Sequence, residues 1–221
     1  MKDLILLNLK GKFRDGEEMP IDWAPINAAY MSNLASSYGQ QEAVGKKTDQ
    51  NLPVALVLPG ITGTSDSNYI TLMCEELSRK GFRPCVATFR GWDTPLKTHN
   101  FADFTSTNDI EDVLMHLKRN YPKSKMYMVG FSIGANVASK YAGMKEEKSL
   151  VDGLVSISNP FDVGVASREM AKSKNYIYGK YMAQGISKKI LKNEQKVCEL
   201  ADTLGVKLNL DAISKANDPV T

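Results

Sequence analysis

The stretch MYMVGFSIGANVASKY, residues 126–141, carries the pattern that decides the fold. A run of apolar residues stops at a serine held between two glycines, and an amphipathic helical pattern follows at once. Gly130, Ser132 and Gly134 form Gly-x-Ser-x-Gly, which is typical of a serine nucleophile on a tight strand-to-helix turn. Such a turn strains the backbone of the serine, and only very small neighbours avoid clashing with it. The alternative is a glycine-rich turn with no catalytic role.

Apolar runs of strand length alternate with helical patterns around this stretch. The alternation predicts right-handed crossovers and a mostly parallel sheet with helices on both faces, so the fold class is α/β. Asp15-Gly16 is a turn signal and predicts a hairpin ahead of the first central strand. The central strands are predicted at 53–60, 83–91, 125–131 and 150–158.

Three helices are predicted between these strands from caps and apolar spacing. The first follows Ser65 and Asp66 as its cap and ends near Lys80, where Gly81 closes it. The second is capped by Asn108 and stops at Tyr121-Pro122, and the third runs from Ser132 to about residue 144. An apolar stripe in the second helix is formed by Ile110, Val113, Leu114 and Leu117.

The strand and helix alternation ends after residue 158. The following residues have helical composition and no strand of comparable strength. Helices inserted after a strand at its carboxyl end lie over the ligand crevice of an open α/β sheet. We therefore expect a core at residues 1–158 and a helical lid at 159–221.

Composition excludes several classes of protein. The formal charge is +3, from 28 basic and 25 acidic residues that are interspersed along the chain, so no nucleic-acid partner is expected. Three cysteines without metal-ligand spacing predict neither a disulfide framework nor a metal site, and no cofactor is expected. No signal peptide or membrane-spanning run is present, which predicts a cytoplasmic protein. Residues 172–196 lean basic, and a solvated helix face is favoured there over peripheral membrane contact.

An oxyanion hole can be formed by two backbone N–H groups. Ile133 follows the serine at a helix N-terminus, where its N–H has no partner within the helix. The loop LPGITGTSDSNY, residues 58–69, follows the first central strand, and Gly60 lets the backbone turn so that the Ile61 N–H supplies the second donor. An ordinary connecting loop is the alternative.

Four segments together carry a resemblance to a known family: LPGITGTS, RGWDTPLKT, YPKSKMYMVGFSIGANVASKYAG and VSISNPFDV. They resemble the α/β-hydrolase superfamily, in the branch of medium-chain phospholipases, yeast medium-chain ester synthase/esterases and related bacterial hydrolases. DGEEMPIDW is similar to that branch's entry hairpin, with Glu17 in place of the usual second glycine. The resemblance covers about residues 12–195.

The resemblance implies a serine carboxylic-ester hydrolase of esterase or lipase type, acting on lipid-like medium-chain acyl esters. Acyl transfer to an alcohol is a close variant. Ser132 is then the nucleophile, and Ile61 and Ile133 supply the oxyanion hole. The family's triad is completed by an aspartate and then a histidine, both after the serine.

The triad partners are missing from the expected part of the sequence. His99 and His116 both precede Ser132, whereas the fold orders its triad as serine, acid, histidine. No clear strand follows residue 158, so we expect a C-terminally truncated chain that lacks the last two strands and is inactive as written. The alternative is a catalytically inactive protein of this fold that binds a lipid or a protein partner. The aspartates judged unlike the triad acid are Asp109, Asp112, Asp152, Asp162, Asp211 and Asp218.

Overall fold

A computed structural model describes residues 7–12, 16–24, 52–98 and 100–216 of the 221-residue chain. These residues form six strands and seven α-helices. The strands are β1 (Leu7–Lys12), β2 (Glu18–Trp23), β3 (Val54–Leu58), β4 (Arg83–Ala87), β5 (Met126–Phe131) and β6 (Gly153–Ile157). The helices are α1 (Asn68–Arg79), α2 (Asn108–Asn120), α3 (Ile133–Lys145), α4 (Val163–Met170), α5 (Tyr176–Lys192), α6 (Glu194–Leu204) and α7 (Leu210–Ala216).

The six strands form one sheet in the order β1-β2-β4-β3-β5-β6. The four strands β4, β3, β5 and β6 are parallel, and β1 and β2 form an antiparallel hairpin whose second strand pairs with β4. Gly16 lies in the hairpin connection with φ +79°, while Asp15 lies outside the described residues. The prediction of a mostly parallel α/β sheet is therefore confirmed.

Helices cover both faces of the sheet, as expected. Side chains of a strand alternate between the faces, so Leu56 and Leu58 of β3 point to one apolar cluster and Val57 points to another. The larger cluster includes the apolar stripe of α2 and part of α3, and the smaller includes Ile70 and Cys74 of α1. All four residues of the predicted α2 stripe are buried.

Two predicted helix caps are wrong. Helix α1 begins at Asn68, with Ser67 at the N-cap position, so Ser65 and Asp66 lie in the loop before it. Ser65 is hydrogen-bonded to the Asp22 carboxyl, and this contact takes it away from the helix end. Helix α2 begins at Asn108 itself, with Thr107 at the N-cap position. Gly81 follows α1 with φ +81°, as predicted for its end.

Helices occupy the described residues after β6, namely α4 to α7 and a short 3₁₀ turn at Ser173–Asn175. Helix α5 contacts α4, α6 and α7. Strand β6 pairs with β5, and among the described residues no strand lies on its other side. The division into a core at 1–158 and a lid at 159–221 stays a prediction. Within the described part of the chain, no helix is long and apolar enough to cross a membrane.

The three cysteines should differ sharply in reactivity. Cys74 and Cys85 are buried, whereas Cys198 is partly exposed. Burial raises the pKa of Cys74 to about 12 and also raises the pKa of Cys85, so both remain thiols at neutral pH. We expect Ellman's reagent to modify only Cys198 rapidly in the folded protein, and all three cysteines in denaturant. Equal rates for the three in the folded protein would contradict the described core.

Candidate functional site

Ser132 lies at the turn between β5 and α3 in a rarely populated backbone conformation, with φ 51° and ψ −118°. A non-glycine residue in such a conformation costs about 1–3 kcal/mol and persists only where its surroundings hold it. The Ser132 N–H donates to the Ile157 carbonyl at the end of β6, over 2.9 Å. The hydroxyl makes no recorded hydrogen bond to the residues that the structure describes. The backbone strain expected of a nucleophile turn is therefore present.

The two flanking glycines permit close backbone contacts. A Cβ atom on Gly130 would lie 2.5 Å from the Ala135 Cα, and one on Gly134 would lie 2.4 Å from the Pro59 carbonyl oxygen. Since real Cβ atoms essentially never approach backbone this closely, neither position accepts a side chain without movement of the chain. The glycines let α3 pack directly on the end of β3.

The loop after β3 touches Ser132. A Cβ atom on Gly60 would lie 3.3 Å from the Ser132 Cβ, which is tight van der Waals contact. The Gly63 N–H donates to the Gly60 carbonyl over 3.0 Å, and Thr62 between them has φ +64°. These features make a closed turn directly beside the serine.

Two backbone donors next to this turn are unpaired within the part of the chain that the structure describes. Ile133 is the first residue of α3, and Ile61 directly follows Gly60 in the loop. Neither N–H has a recorded hydrogen-bond partner in the described ranges. An unpaired N–H at a helix N-terminus is suited to an anion, because the helix dipole adds to the N–H dipole.

Tyr69 is a neighbour of the site that sequence reasoning missed. Its hydroxyl oxygen accepts the Gly60 N–H over 3.0 Å, and its ring packs edge-on against Phe131 with a centroid distance of 5.0 Å. Burial raises the pKa of the Tyr69 hydroxyl above its usual value, although the bond from Gly60 opposes the shift. The sequence feature that could have identified Tyr69 is its position at the end of the 58–69 loop segment, at the start of α1.

Helix α5 lies against the same loop. A Cβ atom on Gly185 would lie 2.9 Å from the Thr62 Cγ2, so the helix backbone approaches the turn closely. At its end, the Asn193 amide donates to the Gly91 carbonyl and accepts the Leu96 N–H, each over 2.8 Å. The Lys189 ammonium donates to the Trp92 carbonyl. These contacts fix α5 beside the carboxyl ends of the parallel strands.

Neither histidine is placed beside Ser132 by the residues that the structure describes. His99 is outside them. His116 belongs to α2, which leads into the amino end of β5, whereas Ser132 follows the carboxyl end of that strand. The Asn120 amide lies 3.2 Å from the His116 Nε2, and burial, followed by the charge of Arg119, lowers the His116 pKa.

The aspartates considered from the sequence have other contacts. Asp109 forms an ion pair with Arg90, with both carboxylate oxygens 2.6 Å from guanidinium nitrogens. Asp152 accepts the Met126 N–H at the start of β5, and Asp162 caps α4 by accepting the Val165 N–H. Asp112 and Asp211 lie in α2 and α7, and Asp218 is outside the described residues. Within the described ranges, no carboxylate or histidine is recorded in hydrogen-bond contact with Ser132. No group of three or more metal-ligating side chains occurs there.

Two cavities, of about 450 and 430 Å³, lie away from Ser132. The first is lined by polar residues such as Arg90 and Asp109 together with Leu200 and Leu204. The second lies between α4, α5 and α7. Neither cavity is lined by the Ser132 turn or by the loop after β3. The candidate site is therefore defined by the contacts around Ser132 and not by these cavities.

Asp22 of β2 reaches the loop after β3 through Ser65, and its ionisation should affect stability. Burial, with the nearby charges of Asp93 and Asp66, raises the Asp22 pKa above 3.8, although the bond from Ser65 opposes the shift. The folded protein therefore keeps this proton to higher pH than the unfolded chain does. The stability that the protonated carboxyl contributes is present below pH 3.8 and is lost as the pH rises through the folded pKa.

Asp22→Asn keeps an oxygen that accepts the Ser65 bond but removes the buried charge. We expect it to raise the melting temperature at pH 7 by roughly 2–4 °C, the shift that about 1 kcal/mol produces in a chain of this size. The difference from the parent should shrink below pH 3.8, where both forms are neutral. Thermal unfolding followed by circular dichroism across pH measures it. A lower melting temperature for the variant at pH 7 would show that the carboxylate is stabilising.

Comparison with known proteins supplies the family. The model of the alpha/beta hydrolase fold family matches residues 53–196, more than half of the chain. The embryogenesis-associated protein EMB8 of Picea glauca is 31% identical over 79% of this chain and 36% of its own length. Two proteins of Saccharomyces cerevisiae are also similar. The monoacylglycerol lipase is 31% identical over 58% of this chain and 29% of its own length. The medium-chain fatty acid ethyl ester synthase/esterase 2 is 29% identical over 65% of this chain and 33% of its own length.

A solved structure supports the fold independently. The Pyrococcus furiosus esterase Pf2001 superimposes with a TM-score of 0.56 at 21% identity, over 80% of this chain and 63% of that one. The chain spans about a third of the length of the curated relatives named above. The sequence motifs predicted this family, and they also predicted the branch to which the two yeast relatives belong. The chain belongs to the α/β-hydrolase family.

Proposed function

We propose that the protein is a serine carboxylic-ester hydrolase with Ser132 as its nucleophile. The observation that carries the proposal is the strained Ser132 turn, beside which the N–H groups of Ile61 and Ile133 are unpaired within the described residues. The Ser132 Oγ attacks the ester carbonyl carbon, and the two N–H groups stabilise the oxyanion of the tetrahedral intermediate. The ester C–O bond then breaks, the departing alkoxide takes up the proton that the Ser132 hydroxyl has lost, and the acyl group stays on Ser132.

The second half of the reaction returns the serine. Water attacks the acyl-enzyme carbonyl and releases the carboxylic acid. A second alcohol attacking at the same carbon gives a new ester instead, which is the acyl-transfer variant. The name of the yeast synthase/esterase relative supports keeping both acceptors in the proposal.

The proposed substrates are lipid-like esters with a medium-length acyl chain. The names of the two yeast relatives, one a monoacylglycerol lipase and one a medium-chain ester synthase/esterase, support this class. The position of α5 beside the Ser132 turn is consistent with a helical cover over an acyl chain. Residues 159–221 would then act as the lid.

A second candidate function is binding of a lipid or protein partner without turnover. The observation favouring it is that, in the described part of the chain, no histidine or carboxylate is recorded in hydrogen-bond contact with Ser132. A serine nucleophile without a base keeps only the assistance of the oxyanion hole and of substrate binding. The two functions differ in two measurable properties, namely covalent reaction at Ser132 and turnover of an ester.

The deciding experiment is covalent labelling combined with turnover. The protein would be treated with a fluorophosphonate and digested, and the modified residue would be identified by mass spectrometry. Butyrate, octanoate and palmitate esters of p-nitrophenol would measure turnover. We expect labelling at Ser132 and the highest kcat/KM with the octanoate ester. Absence of both labelling at Ser132 and ester turnover would favour the binding function.

A further inference from the structure

The hydroxyl of Tyr69 lies inside the turn that follows β3. Tyr69 is the second residue of α1, and its hydroxyl oxygen reaches back nine residues to accept the Gly60 N–H over 3.0 Å. Gly60 precedes Ile61, one of the two proposed oxyanion donors. One side chain therefore pairs the N–H that directly precedes the proposed donor.

The turn is built around this hydroxyl. A Cβ atom on Gly63 would lie 2.4 Å from the Tyr69 Oη, so the hydroxyl occupies the place that a side chain at position 63 would fill. The Gly63 N–H closes the turn on the Gly60 carbonyl, and Thr62 adopts φ +64° within it. A non-glycine residue at positive φ is strained, so the turn requires contacts that hold it.

The same side chain also lies close to the serine. The point where Gly60 would carry a Cβ atom is 3.6 Å from the Tyr69 Oη and 3.3 Å from the Ser132 Cβ. The Tyr69 ring packs edge-on against Phe131, the residue before Ser132. Tyr69 thus contacts both the loop that carries Ile61 and the strand end that carries Ser132.

Packing alone does not account for Tyr69. The residue is 39% exposed, so its ring contributes little to the core. Burial of its hydroxyl raises the Tyr69 pKa, so the group stays neutral at the pH of an ester assay and its bond from Gly60 does not titrate there. What the residue offers is a polar atom at a fixed place in the turn.

We propose that Tyr69 is a positioning residue for the oxyanion hole. Its hydroxyl takes up the Gly60 N–H and fixes the turn, so that the next N–H, that of Ile61, is presented to the oxyanion on Ser132. The inference rests on the proposed function and assigns a role to a residue outside the serine motif. Oxyanion stabilisation depends on donors held in place before the reaction, and small displacements are costly.

Tyr69→Phe tests the inference, because it removes the hydroxyl and keeps the ring against Phe131. We expect kcat for octanoate ester hydrolysis to fall by about 10- to 100-fold, with KM within twofold of the parent. Binding of a trifluoromethyl ketone, which forms a tetrahedral adduct on serine, should weaken by a similar factor. The melting temperature should fall by only a few degrees, because one buried N–H loses its acceptor, and this small loss separates positioning from a general loss of structure.

Tyr127→Phe is the matched control. Tyr127 lies in β5 and packs edge-on against Phe82, away from the Ser132 turn, and its hydroxyl makes no recorded hydrogen bond in the described ranges. We expect this variant to keep the parent's kcat and KM. An unchanged kcat in Tyr69→Phe, with an active parent, would overturn the inference.

Amide hydrogen exchange decides the inference even where turnover is absent. Loss of the Tyr69 hydroxyl leaves the Gly60 N–H without its acceptor, so the amides of residues 58–64 should exchange faster in Tyr69→Phe than in Tyr127→Phe. An inactive parent would contradict the proposed function and leave this measurement in force. Equal exchange in the two variants would overturn the positioning role.

Discussion

Ser132→Ala is expected to reduce ester hydrolysis by about 10⁴- to 10⁶-fold in kcat, and to abolish fluorophosphonate labelling. The methyl group cannot attack the ester carbonyl, so no acyl-enzyme forms, and only the oxyanion donors and substrate binding still assist the reaction with water. The melting temperature should change little, because the Ser132 hydroxyl makes no recorded hydrogen bond in the described residues and alanine is of similar size. Initial rates with p-nitrophenyl octanoate and intact-protein mass spectrometry measure the two effects.

Ser139→Ala provides the control for this experiment. Ser139 lies in the same helix, α3, and its hydroxyl donates to the Ser156 hydroxyl over 3.2 Å. The Ser139→Ala substitution also removes one hydroxyl group but leaves the Ser132 turn unchanged, so kcat should remain within a few-fold of the parent. If Ser132→Ala keeps a rate comparable to that of Ser139→Ala, Ser132 is not the nucleophile.

The parts of the fold that sequence predicted are those that depend on short-range patterns. Strand β3 is a continuous apolar run because it is buried on both faces, and the stripe on α2 has helical spacing because one side faces the core. The pattern of a strained serine between two glycines is likewise contained in five residues, Gly130 to Gly134. Each of these signals acts over one element and its adjacent turn, so a single sequence contains it.

The parts that sequence did not predict depend on contacts between distant residues. Ser65 looks like a helix cap, but the Asp22 carboxyl, more than forty positions earlier, takes its hydrogen bond. Asn193 contacts the Gly91 carbonyl 102 residues away and fixes the end of α5. Tyr69 looks like an ordinary helix residue until the turn folds around its hydroxyl. Local pattern carries no information on such pairings, because many residues could supply the same polar atom.

Gly134→Ala is expected to destabilise the protein by about 3 kcal/mol, which lowers the melting temperature by roughly 6–12 °C. The added methyl group would lie 2.4 Å from the Pro59 carbonyl oxygen and 2.5 Å from that of Leu58. Both atoms belong to backbone at the end of β3, and β3 is paired on both sides within the sheet. Neither can rotate away as a side chain would, so α3 must separate from the sheet. Thermal and urea unfolding measure the loss.

Gly143→Ala makes the same substitution in the same helix, at a position where a Cβ atom would meet nothing within 4 Å. Alanine forms helix better than glycine by about 0.5–1 kcal/mol, so this variant should match or exceed the parent in stability. The two variants change backbone freedom equally and differ in the contact with β3. A Gly134→Ala protein as stable as Gly143→Ala would therefore show that α3 does not pack on β3 as closely as described. Because the same contact holds Ser132 in its strained turn, activity should fall together with stability in Gly134→Ala and remain at the parent's level in Gly143→Ala.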